Sequence, residues 1–277
     1  MHGPDAALQR QRKKIVTLWS MEFIDTHTHC TDEAFPGREE QDLFVKRAVD
    51  AGVTRMLLAD IDSRERSAMY EAASRHPGVL FPMLGLYPGS VGKDWKKEID
   101  AMLAWKGKGA VAIGEIGLDY HYGREFSEQQ KEALRVQFEL AAEWDLPVNI
   151  HLRDATDDFF RVLDDCAHLH LRGNLHAFSG SIETFRRIRS YGDWSVGIGG
   201  VVTFKNASLP ETVRQIPLEC ILLETDAPYL APTPLRGTRN ESANIPLVAA
   251  KVAEIKGIDT EEVAAITTAN ARRLFKI

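Results

Sequence analysis

The chain has 277 residues, with 34 basic and 40 acidic side chains, a net charge of −6 and 44% hydrophobic residues. That balance offers no broad basic footprint for gripping nucleic acid along a long groove, and no apolar run of about 18 residues is present to span a membrane, so a soluble protein is expected. The three cysteines, Cys30, Cys166 and Cys220, lie far apart without Cys-x-x-Cys spacing, which fits a reduced, cytoplasmic setting and no disulfide framework.

Residues 1–20 read as an N-terminal extension, disordered or weakly helical. The stretch Gln9-Arg10-Gln11-Arg12-Lys13-Lys14 is followed by too few apolar residues for a signal peptide. From Met21 onward short β-rich runs alternate with longer amphipathic ones. The predicted strands are Glu22 to Asp25, Val53 to Ala59, Val79 to Leu84, Ala110 to Gly114, Val148 to Ile150, Gly173 to Leu175, Ser195 to Ile198 and Ile221 to Leu223. Between them, helices are expected over Asp42 to Ala51, Ser63 to Arg75, Ile99 to Trp105, Ser127 to Trp144, Ala155 to Cys166, Ile182 to Tyr191 and Leu209 to Gln215. In the fourth, Ser127-Glu128-Gln129-Gln130 has the pattern of a capping box. A last helical pair, Ile245 to Lys256 and Thr260 to Leu274, closes the chain. Eight strands each followed by a helix predict a single-domain (β/α)8 TIM barrel over residues 21–277, with its chemistry at the C-terminal strand ends. No Gly-x-Gly-x-x-Gly follows the first strand, which argues against an open doubly wound sheet.

The polar residues at those strand ends form a set. In a strand, side chains alternate, so His27 and His29 face the same way after strand 1. Glu115 follows strand 4, His151 strand 5, His176 strand 6 and Asp226 strand 8, all on one rim. Four imidazoles and two carboxylates exceed what one tetrahedral ion takes but suit two divalent ions, with Glu115 as the bridging carboxylate. His-rich ligation is compatible with Zn2+. His168 and His170 repeat the His-x-His spacing on the opposite rim, where His76 also lies, and none of these is expected to be a ligand.

The segments Phe23-Ile24-Asp25-Thr26-His27-Thr28-His29, Gly114-Glu115-Ile116-Gly117-Leu118-Asp119-Tyr120, Leu146 to Ala155 around His151, His176-Ala177-Phe178-Ser179-Gly180-Ser181 and Leu222 to Pro232 around Asp226 resemble the signature blocks of the TatD family of metal-dependent deoxyribonucleases. Arg236 to Glu241 extend the likeness, which runs in order through residues 22–277. The resemblance implies an amidohydrolase-type barrel with one metal held by His27, His29, Glu115 and Asp226 and a second by Glu115, His151 and His176. It also implies hydrolysis of DNA phosphodiesters with Mg2+ or Mn2+.

The residue chemistry agrees with that implication. Asp226 is expected to orient the attacking water and take its proton, with Glu115 as the other catalytic carboxylate. Arg153, Lys205 with Asn206, Arg236 and Arg239 are candidate phosphate contacts, and His121 is placed to touch substrate. Glu224 shares strand parity with Asp226 and reads equally as an orienting group or as a buried partner for an arginine. Where the family usually carries Gly-x-His-Pro, this chain has Gly85-Leu86-Tyr87-Pro88; Tyr87 can hydrogen-bond a phosphate but supplies no positive charge. Ala177 and Ser242 stand where close relatives are expected to carry cysteine and proline. The leading expectation is therefore a monomeric two-metal nuclease trimming single-stranded DNA ends, with no membrane or obligate protein partner. The alternative is an amidohydrolase acting on a small molecule, such as a lactonase, amidase or phosphotriesterase. Many such enzymes bridge their metals with a modified lysine at strand 4, where this chain has Glu115.

Overall fold

The computed structural model describes residues 21–277. The reading of residues 1–20 as an extension lies outside the described residues. Eight strands run in chain order: β1 (Phe23–Thr28), β2 (Val53–Leu58), β3 (Leu80–Pro82), β4 (Ile113–Asp119), β5 (Val148–Arg153), β6 (Gly173–Leu175), β7 (Trp194–Ile198) and β8 (Ile221–Leu223). They pair in parallel as β1-β2-β3 and β4-β5-β6-β7-β8. Backbone bonds from Leu84 to Ala112 and from Gly114 to Leu84 join β3 to β4, and bonds from Asp226 to His27 and from His29 to Ala227 join β8 to β1. The result is a closed (β/α)8 barrel, as the alternation predicts.

The helices between the strands are α1 (Gly37–Asp50), α2 (Ser63–Arg75), α3 (Trp95–Leu103), α4 (Ser127–Glu143), α5 (Thr156–Asp165), α6 (Ile182–Arg189) and α7 (Leu209–Gln215); α8 (Ile245–Lys256) and α9 (Thr260–Phe275) follow β8. The capping box expected at Ser127 does not form. Phe126 occupies the cap and Ser127 is already helical. Gln130 turns inward instead, accepting from the Asp119 N–H at 3.0 Å and donating to the Asp119 carbonyl at 3.1 Å, which ties α4 to the end of β4.

The barrel is filled in layers. Its floor is apolar: Ile24, Leu57, Met83, Ala112 and Leu222 pack on Ala271, Leu274 and Phe275 of α9, which closes the N-terminal end. Above lies a buried polar layer of Asn149, Asn174 and Glu224, and above that the histidines. Three strands run further than their apolar runs suggest. β1 reaches Thr28, β4 covers Ile113–Asp119 and β5 reaches Arg153, so His27, Glu115 and His151 sit within strands rather than after them. The ladder continues past the last apolar residue because inward-facing polar groups satisfy one another there.

Candidate metal centre

β1 carries His27, and its end carries His29. The register of β1 against β2 slips between Asp25 and Thr28, and both rings stand at the barrel mouth. Their Nε2 atoms lie 3.2 Å apart. His27 Nε2 is 3.4 Å from Glu115 Oε2 and 3.6 Å from Asp226 Oδ1; His29 Nε2 is 3.7 Å and 3.5 Å from the same two oxygens. Ligands about 2.1 Å from a central ion at tetrahedral angles stand about 3.4 Å from one another. Five distances among these four donors therefore match one divalent ion.

The other oxygen of Glu115 serves a second set. Oε1 lies 2.8 Å from His151 Nδ1 and 2.8 Å from His176 Nε2, and those two nitrogens are 3.2 Å apart. The two sets meet closely, since the His27 and His176 rings stack with centroids 3.8 Å apart. β5 approaches β4 closely enough for this because residue 117 is glycine. Its φ is +147°, and a Cβ there would fall 1.9 Å from the His151 carbonyl oxygen.

The electrostatics describe a pocket made for positive charge. Burial alone would raise Glu115, but His176, His27 and His151 hold it well below the usual carboxylate range. Asp226 is likewise lowered against its burial by His29, His27 and His176. Burial works against protonation of His151, yet hydrogen bonds with Asp119 and Glu115 lift it to about 9. Burial and the neighbouring His27 push His176 down to about 4. Two carboxylates kept anionic in a buried site need cations beside them. Protonated imidazoles meet that need without metal, and divalent ions meet it with metal.

Supporting residues missed by the sequence reading complete the site. Asn149 Oδ1 lies 2.8 Å from His27 Nδ1, and Asn149 Nδ2 donates to Asn174 Oδ1 at 3.1 Å. Asp119 Oδ2 lies 2.9 Å from His151 Nε2 and accepts from the Tyr87 hydroxyl at 3.4 Å. The signal was strand periodicity: Asn149, Asn174 and Asp119 each stand an even number of residues from His151, His176 and Glu115. Among the described residues no arginine pairs with Glu224. It accepts the Ala177 N–H through Oε1, which is 3.8 Å from His176 Nδ1. Ser242 is not idle either, donating to Asp25 at 2.6 Å.

The candidate substrate contacts divide. Arg153 is exposed at the end of β5 and, with His176, lines a cavity of about 240 Å³ between the β5 and β6 loops. Lys205 and Asn206 are exposed after β7, and the Arg236 guanidinium lies 3.9 Å from the Phe204 ring centroid beside them. Arg239 is otherwise engaged, bonded to Glu40 at 2.6 Å, Glu241 at 2.9 Å and the Ala34 carbonyl at 2.8 Å. Its charge is already balanced by two carboxylates. Tyr87 sits edge-on to His151 with centroids 5.1 Å apart, and His121 is exposed with Nδ1 3.1 Å from Asp154. His168 and His170 lie at the far end of the barrel, and His76 bonds Asp42 at 2.7 Å.

Residues 24–276 match the family described as TatD related DNase. The chain belongs to the TatD family. It is 37% identical over 262 residues to an uncharacterised metal-dependent hydrolase, YabD, of Bacillus subtilis, covering 92% of this chain and 99% of that protein. It is 36% identical over 263 residues to a protein of Erwinia billingiae named 3′-5′ ssDNA/RNA exonuclease TatD, with the same coverages. The crystal structure of the TatD homologue YjjV from Escherichia coli superposes with a TM-score of 0.84 at 28% identity, over 92% of this chain and 98% of that one. Like its relatives, this TatD-family chain is a metal-dependent hydrolase on a TIM barrel, with the His, Glu and Asp cluster at the strand ends as its candidate metal centre. No helix among the described residues is long and apolar enough to cross a membrane.

Proposed function

We propose that this chain is a two-metal phosphodiesterase that removes nucleotides from single-stranded DNA or RNA ends, from the 3′ end as the Erwinia relative's name has it. The observation that carries the reading is the split carboxylate of Glu115, one oxygen turned to His27 and His29, the other to His151 and His176. Such a carboxylate suits a bridge between two ions, with His27, His29 and Asp226 completing one set and His151 and His176 the other. Mg2+, Mn2+ and Zn2+ are the candidates. Divalent cations held there supply Lewis acidity for phosphate charge and make water acidic enough to attack near neutral pH.

The chain's own groups do the rest. Asp226, kept anionic beside His27 and His29, orients the attacking water and accepts its proton. Arg153, Arg236 and Lys205 offer charge-assisted contacts to phosphate oxygens from the loops after β5, β8 and β7. Tyr87 and His121 reach the same space as hydrogen-bonding groups, and Asp119 holds His151 in place. Each chain carries a whole proposed ligand set and needs no partner residue for it, and its free cysteines, Cys30, Cys166 and Cys220, suit a reduced, cytoplasmic setting.

The test is hydrolysis of end-labelled single-stranded DNA and RNA with each of the three metals, beside lactone, amide and phosphotriester panels. Stepwise shortening by wild type and none by Glu115→Ala is the expected result. Turnover of a lactone, amide or triester with intact nucleic acid would move the chain to small-molecule hydrolysis.

A further inference from the structure

Among the described residues, eight large hydrophobic side chains are exposed, and only two of them, Tyr122 at 85% and Tyr229 at 53%, are aromatic. Single exposed apolar residues are ordinary on a protein surface, and Leu43, Val49, Leu103 and Leu247 on the outer helices are of that kind. The tyrosines differ in where they stand. Tyr122 belongs to the loop after β4 and Tyr229 to the loop after β8, both at the C-terminal mouth. In a closed eight-stranded barrel, strands 4 and 8 are four places apart in either direction. The two rings therefore flank the candidate metal centre from opposite sides.

Each ring is held from behind and open in front. The Arg153 guanidinium lies 5.5 Å from the Tyr122 centroid, and His121 meets the ring edge-on at 4.9 Å. The His121 N–H in turn donates to Asp119, which bonds His151. Tyr229 donates its hydroxyl to Asp32 at 2.8 Å, its N–H bonds the Asp226 carbonyl at 2.8 Å, and its ring stands edge-on to His29 at 6.2 Å. Tyr229 is thus tied by hydrogen bonds beside the candidate ligands, whereas Tyr122 rests against His121 and Arg153 and leaves most of its surface in water.

We infer that Tyr122 and Tyr229 are stacking platforms for the nucleobases on either side of the phosphate being cut. Every base has a π-face, so such platforms grip a strand without reading its sequence. They also answer a difficulty of charge. At a net charge of −6 the protein has little long-range electrostatic hold on a polyanion, and Arg239 is already paired with Glu40 and Glu241, so base stacking adds affinity that the few phosphate contacts of Arg153, Arg236 and Lys205 do not supply. A small ester reaches one platform, whereas a single strand crossing the mouth reaches both. A base pair would hide these faces within a duplex, so the platforms select unpaired ends.

This inference rests on the nuclease reading, and the experiment separates the two. Binding of a fluorescent, cleavage-resistant phosphorothioate oligothymidylate is compared by anisotropy with that of an abasic strand of equal length and backbone, for the metal-loaded wild type, Tyr122→Ala, Tyr229→Ala and the two phenylalanine variants. The preference for the base-bearing strand is expected to fall about tenfold in each alanine variant and to persist in Tyr122→Phe and Tyr229→Phe. General damage to the fold or the metal centre would weaken both strands alike and keep the ratio. A preference untouched by both alanine substitutions, whatever the absolute affinity, overturns the inference. A wild type that prefers the base-bearing strand and loses that preference in the variants, yet cuts no nucleic acid, upholds the platforms and refutes the nuclease.

Discussion

The Oδ1 of Asn149 lies 2.8 Å from Nδ1 of His27, in the fully buried layer beneath the candidate metal centre. A carboxamide oxygen only accepts, so Nδ1 must carry the proton. Nε2, facing Glu115 and Asp226, is left with its lone pair for a metal. Asn149 is itself fixed by donating to Asn174. Replacing Asn149 with Leu keeps the volume and removes the acceptor. Metal affinity at the His27 and His29 set is expected to fall 10- to 100-fold, read by competition with a chelating dye. Unchanged affinity would mean that the tautomer is set elsewhere.

A second prediction concerns pH and His151. Its folded value, about 9, lies above the ordinary 6.5, because Glu115 and Asp119 both stabilise the imidazolium against the effect of burial. A group raised on folding stabilises fully below its unfolded value and loses that contribution as pH rises through the folded one. Between pH 6.5 and 9.5 the metal-free protein should therefore lose up to about 3 kcal/mol, or roughly 5 to 10 °C in Tm. Metal displaces the proton, so the loaded protein should show a flatter profile. Melting curves of both forms across that range check the sign, with His151→Gln as the control whose slope is reduced to what His27, also raised by Glu115 and Asp226 against its burial, contributes.

Asp226 is assigned two tasks, and one substitution separates them. Asp226→Asn retains an oxygen that can point at the metal set but is too weak a base to take a proton. A fall in kcat of about 10² to 10⁴ is expected, with metal at the Glu115, His151 and His176 set retained. Elemental analysis per chain beside single-turnover rates reads both quantities. A rate within a few-fold of wild type would remove Asp226 as the base.

The barrel and the convergence of the six candidate ligands were legible in the sequence because each follows from period and position: apolar runs of strand length, with histidine or carboxylate near their ends. The strand limits were less legible. His27, Glu115 and His151 interrupt the apolar pattern without ending the ladder, since their polar atoms find partners inside the barrel. Ser127 illustrates a local rule overruled by tertiary contact, because Gln130, expected to complete the cap, is drawn to the Asp119 backbone. The loop cations were legible only as candidates. Nothing in the string Arg236-Gly237-Thr238-Arg239 says that one guanidinium stacks on Phe204 while the other is bound by Glu40 and Glu241, two carboxylates distant from each other in sequence.

The last prediction concerns how little room the buried layer leaves. A Cβ at Gly197 would fall 1.8 Å from Glu224 Oε2 and 2.5 Å from its carboxyl carbon. Glu224 cannot yield easily. It is completely buried, its Oε1 accepts the Ala177 N–H, and the same oxygen lies 3.8 Å from His176 Nδ1. Burial, with Asp226, Asp25 and Glu115 nearby, raises its pKa well above the ordinary carboxylate value. Gly197→Ala must displace it, at a cost of about 1 to 3 kcal/mol, and the displacement is transmitted to His176 as weaker metal binding. Removing the obstructed group should restore part of the loss. Gly197→Ala combined with Glu224→Ala is expected to be less destabilised than the sum of the single variants, whereas strict additivity in the melting curves would show that the two residues do not contend for the same space.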